Sequence, residues 1–173
     1  GARLEERDTV LALYREIRTL AQGPHATPEI RLQQAGAAVN LTNCLGPRET
    51  ERDTVLDLYR EICGLTEGPL ATPEIRLRQA MAAANVAVHF GPRMTEHETV
   101  LALYREIRAL AEGPHATPEI RLQQAMTAVD LTNDLGARLE ERDTVLALYR
   151  EIRTLAEGPL ATPEIRLQQA GAA

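Results

Sequence analysis

"ATPEIRLQQA" occupies residues 26–35 and returns unchanged at 116–125 and 161–170, with the variant "ATPEIRLRQA" at 71–80. The step from copy to copy is 45 residues each time. The phrase carries the chemistry of a helix start. Thr27 is an N-cap, Pro28 takes the first helical position, where its missing N–H costs nothing, and Glu29 faces the positive end of the helix dipole. A start signal repeated at a period between 20 and 50 residues is the mark of a solenoid array.

Upstream of the phrase, "TVLALYREIRTLA" places Val10, Leu13, Tyr14, Ile17, Leu20 and Ala21 on one apolar stripe, while Arg15, Glu16 and Thr19 face away. Gly23-Pro24 ends that helix, glycine accepting a left-handed cap and proline refusing to continue the ladder. Arg15, Glu16 and Arg18 read as a solvated face that serves solubility. Downstream, a second helix over 28–45 spreads Ile30, Leu32, Ala35, Ala38, Val39, Leu41 and Leu45 around more than half its circumference. Such a helix packs on two sides, and Gln34 inside that arc needs a polar partner. In copies two and three, Thr50 with Asp53 and Thr95 with Glu98 have capping-box spacing.

In register the copies are 1–45, 46–90, 91–135 and an incomplete 136–173. Copies one and four differ at two of their 38 shared positions, Gln22 against Glu157 and His25 against Leu160. One helix pair cannot bury both faces of its second helix, so each pair needs the next. The expectation is an all-α fold: a single array over 1–173 of about eight helices, stacked as antiparallel pairs.

Copies one to three carry "NLTNCLG", "NVAVHFG" and "DLTNDLG" late in the second helix, followed by "TVLALYREI" or "TVLDLYREI" in the next. This resembles the tetratricopeptide repeat, especially the long repeats of kinesin-light-chain-like and bacterial signalling proteins. The resemblance implies a right-handed α-solenoid. It gives Asn40, Leu41 and Asn43 helix A positions, and Val10, Tyr14 and Ile17 the packing positions of helix B. The chain departs from the family in its 45-residue period, in Thr42 where the family has a close-contact glycine, and in Val and Ile where it has alanine. Armadillo or HEAT arrays are the alternative, disfavoured by the Asn-Leu-x-Asn run.

The net charge of −6 argues against nucleic acid, whose phosphates demand clustered cations. No apolar run approaches the roughly 18–20 residues of a membrane span. The opening "GARLEERD" recurs at 136–143, so it reads as repeat and not as a leader. Cys44 and Cys63 fit no metal spacing and are too distant on successive helices for a disulfide; reduced thiols suit a cytoplasmic setting. His25 and His115 lie in a short loop where the other copies carry Leu, and His89 and His97 lack ligand-spaced neighbours. With no glycine-rich phosphate loop and no nucleophile elbow, the chain reads as non-enzymatic and without a cofactor.

The copies differ mainly at positions 33, 36, 40, 43 and 44 and their equivalents, which fall within one arc of about 100°. The resemblance places that arc on the concave face that holds peptides. The candidate binding residues are therefore Asn40, Asn43, Met81, Asn85, His89, Met126, Asp130 and Asn133, meeting a protein or peptide partner; drift on a solvated face is the competing explanation. The family's clamp for terminal carboxylates needs lysines, and this chain has none. The alternatives to an interaction scaffold are a sensor or spacer arm of a larger bacterial signalling protein, or a designed or recently duplicated array with no evolved ligand. The last copy stops at "AGAA", before the "VNLTNDL" of the pattern, and its near-identity to copy one leads to an expectation of head-to-tail self-association.

Overall fold

The structure is a computed structural model that describes residues 2–92, 97–136 and 141–171. All the regular structure among these residues is helical. The helices are α1 (Ala2–Gln22), α2 (Pro28–Leu45), α3 (Arg52–Leu65), α4 (Pro73–Phe90), α5 (His97–Glu112), α6 (Pro118–Gly136), α7 (Arg142–Glu157) and α8 (Pro163–Gly171). No described helix is long and apolar enough to cross a membrane. The chain divides into two compact units, Gly1–Gln79 and Ala80–Ala173, with the boundary inside α4.

Helices start where the repeated phrase places them. Thr27 is extended (φ −117°, ψ 163°), and its hydroxyl accepts from the Ile30 N–H at 3.3 Å. Thr72, Thr117 and Thr162 accept in the same way from Ile75, Ile120 and Ile165. The glutamate that follows each proline sits on the exposed amide end, and its carboxyl is held below the ordinary value. At Glu29 the Thr27 hydroxyl contributes most; at Glu74, Glu119 and Glu164 the residue's own N–H does.

Two local expectations fail. Thr50 does not cap α3, because backbone bonds from Glu51 N to Arg48 O and from Arg52 N to Glu49 O close a 3-10 turn over Glu49–Glu51 first. The cap falls to Glu51, whose side chain makes no capping bond. Thr95, the equivalent in copy three, lies outside the described residues. Left-handed glycine closes fewer helices than expected: among the described residues only Gly68 has positive φ, at 101°, and Gly158 leaves α7 in an extended conformation. Helix α1 runs back to Ala2, because "ARLEERD" is rich in helix formers, whereas Pro47 stands at the matching point before α3.

In the first unit α1 packs on α2 and α2 on α3. In the second, α6 touches α5, α7 and α8, as its wide apolar arc requires. Alanines at that contact (Ala125 and Ala128, both fully buried) let the backbones approach closely. Tyr14, Tyr59 and Tyr104 are buried on the first-helix stripe at 45-residue steps. Gln34 and Gln124 are buried too, and the side-chain oxygen of each accepts no hydrogen bond among the described residues.

Candidate functional site: an open groove and its polar latches

An apolar groove of about 370 Å³ opens in the first unit between α1 and α2. Val10, Leu13 and Ile17 form one wall; Ala37, Leu41 and Cys44 form the other. Three members of the α1 stripe are far from the burial expected of them: Val10 is 46% exposed, Leu13 54% and Leu20 63%. The same positions in α3, Val55, Leu58 and Leu65, are all buried, with α2 packed against that helix.

Copy four supplies a control. Residues 136–156 repeat residues 1–21 letter for letter, yet Leu148, the counterpart of Leu13, is 4% exposed. Local sequence cannot account for that difference; the neighbour does. Helix α6 lies against both α7 and α8, and its Ala125 and Leu122 join Leu155, Ala156 and Ile165 in one apolar cluster. The face that α6 covers in copy four is the face left open in copy one.

Polar latches join copy one to copy two and copy three to copy four. Tyr14 donates to Glu61 Oε2 at 2.7 Å, and Arg18 donates to Glu61 Oε1 at 2.9 Å. Burial, reinforced by the Glu61 carboxylate, lifts the Tyr14 hydroxyl above the ordinary phenol value, so it remains a donor at any physiological pH. The corresponding acceptor in the second unit is Glu151, which takes Gln124 Nε2 at 2.5 Å and lies 3.6 Å from Arg108 Nε. There the buried Tyr104 hydroxyl makes no hydrogen bond. A second latch joins Arg7 to both carboxylate oxygens of Glu51, at 2.5 and 2.7 Å. That guanidinium holds the Glu51 carboxyl below the ordinary value. At the matching place in the second unit His97 Nε2 meets Glu141 Oε1 at 3.3 Å. Glu61 and Glu151, the counterparts of Glu16 that was assigned above to solubility, are therefore acceptors that fix one copy to the next.

The structure distributes the sequence-derived candidates over both units. Asn40 and Asn43 are exposed on α2, where Asn40 and Cys44 line the groove. Met81, Asn85 and His89 are half-buried on α4, and Met126 and Asn133 are exposed on α6. Asp130 is half-buried between them in sequence; burial raises its carboxyl above the ordinary value, and Asp134 adds repulsion. Neither Cys44 nor Cys63 is in a disulfide. Comparison with protein-family models, curated proteins and solved structures returned no match.

The groove itself was missed by sequence reasoning. One signal was available: a stripe whose letters are identical in copies one, three and four can differ among them only in what lies on it.

Proposed function

We propose that this chain is a tetratricopeptide-like, right-handed α-solenoid acting as a non-enzymatic scaffold that receives a helix of a protein partner in the α1/α2 groove. The single observation behind this reading is the contrast between Leu13 and Leu148, in which one sequence is bare in one place and buried, on a helix packed against α6 and α8, in another. That contrast also specifies the guest: an amphipathic helix with alanines for close approach and a leucine knob, as α6 presents. Helix-in-groove recognition works through such spaced anchors. Asn40 and Cys44 at the groove wall, with Met81, Asn85, His89, Met126, Asp130 and Asn133 on the later second helices, are the copy-specific residues that would select among partners.

The test is a titration of the full chain into a fluorescent synthetic peptide with the sequence of residues 118–136, followed by anisotropy. Saturable binding is expected, with at least a tenfold loss for Leu13→Glu, a substitution at a site too exposed to unfold the chain. Absence of binding, or binding indifferent to Leu13→Glu, refutes the groove.

A further inference from the structure

We infer that the contact between His97 and Glu141 is a pH-set latch: acidification tightens the junction of copies three and four, while the matching latch between copies one and two does not respond. The inference is independent of the groove.

The repeat supplies the comparison. The position of His97 holds arginine in the other three copies, as Arg7, Arg52 and Arg142. In copy one that arginine grips both carboxylate oxygens of Glu51, the residue at the cap of α3. A guanidinium keeps its charge across the physiological range, so this grip is permanent. Copy three keeps the acceptor and changes the cation. Glu141 stands where Glu51 does, at the cap of α7, and its side chain makes no capping bond. His97 Nε2 lies 3.3 Å from Glu141 Oε1, and each side chain is only 20% exposed. Histidine is the side chain whose ordinary titration, at roughly pH 6.5, falls inside the physiological range.

The two protonation states offer Glu141 different things. An imidazolium brings a full charge together with its N–H, and a charge-assisted bond is about twice as strong as a neutral one. A neutral ring can still present Nε2–H, but without the charge and at this length the bond is weak. Nor can a neutral ring copy the two-pronged hold that Arg7 has on Glu51. The Glu141 carboxylate meets the ring only in the folded chain. The contact therefore contributes stability while the ring is charged, and that contribution is lost as pH rises through the histidine range.

Other charged groups gather at the same end of the helices. Helix α5 itself adds the exposed Glu98, and α7 adds Arg142 and Asp143, both exposed. Helix α6, packed on α5, carries Asp130 and Asp134. In the first unit the matching positions Arg7 and Cys44 line one groove, which puts Asp134 on the His97 side. Helix α4 ends with His89, and Gly91 just beyond it lies against the Asp134 carboxylate. Of these groups only Arg142 and His89 are basic, so the carboxylates depend on the His97 charge for balance.

Urea unfolding of the full chain at about pH 5.5 and about pH 8 tests the latch, with the unaltered chain set beside His97→Arg. The variant installs the residue that three copies already carry, and every other titration is common to both chains. The ratio of their unfolding constants therefore reports on position 97. Relative to His97→Arg, the unaltered chain is expected to lose roughly fivefold in folding equilibrium between the lower and the higher pH. In a Glu141→Gln background that pH-dependent difference should disappear. Amide exchange, corrected for its intrinsic pH dependence, should show the first turn of α7 better protected at the lower pH in the unaltered chain alone. A ratio that stays constant with pH overturns the inference. So does a pH-dependent ratio that survives Glu141→Gln, because the ring would then answer to Asp134.

Discussion

Replace Leu148 by alanine in one variant and Leu13 by alanine in another. The residues flanking both sites are identical over 21 positions, so the change in intrinsic helix propensity cancels between them. What remains is the neighbour. Leu148 is 4% exposed on α7, which packs against α6 and α8, and truncating a buried leucine removes its transfer free energy and leaves a cavity, about 2–5 kcal/mol in all. Leu13 is 54% exposed and borders an open groove, so its loss creates no cavity. Under half of a full burial term of roughly 1.5–3 kcal/mol is then at stake, about 1 kcal/mol. The two variants should differ by about 2 kcal/mol, or roughly 4–8 °C in melting temperature for a chain of this length. Urea and thermal unfolding followed by circular dichroism will read the difference. Equal losses would mean that the neighbours of α7 do not bury Leu148 in the manner described, and the groove reading would lose its foundation.

Two further predictions concern charge and capping. Asp130→Asn installs the residue that copies one and two carry at this position, Asn40 and Asn85. Because burial raises the Asp130 carboxyl, its ionisation costs stability above the raised value, and the cost fades as pH falls through it. The variant should be more stable at pH 7, by about 0.5–2 kcal/mol, with the gap in urea midpoint closing towards pH 4. Thr27→Ala removes the α2 cap and should cost about 1 kcal/mol at neutral pH. The Glu29 carboxyl, now without its largest stabilising bond, should titrate nearer its ordinary value by NMR. Its depressed value contributes stability that is present above the unfolded-state pKa and lost as pH falls through the folded one, so the variant's acid limb should be shallower.

The helix starts were legible because Thr, Pro and Glu act within one turn: Thr27, Thr72, Thr117 and Thr162 cap where the letters place them. The tyrosine ladder was legible for a similar reason, since a stripe depends only on spacing along one helix. Glu61 and Glu151 were not. On a wheel they point away from the apolar face, and only the stagger of one copy against the next brings Tyr14, Arg18, Gln124 and Arg108 to them. Thr50 misled because a proline three residues earlier admits a 3-10 turn, whose backbone bonds take over the cap. Exposure at Val10 and Leu13 lay beyond any local rule, as copy four demonstrates with the same letters.

Near-identity among the copies has a cost during folding. Helices with interchangeable apolar letters can zip together one unit out of step, because Val, Leu, Ile and Tyr meet the same neighbours in either alignment. The few places that resist are those where the copies disagree. Asp134 is one: its carboxylate lies so near Gly91 that a Cβ there would be 2.5 Å from Oδ2. Shifted by one unit that spot would hold His89 instead, and by two units Cys44. The scattered substitutions therefore serve as address labels, penalising misaligned partners while the shared letters drive the collapse. A version of the chain with those labels made uniform should refold more slowly and lose more material to aggregates, even with its final stability unchanged.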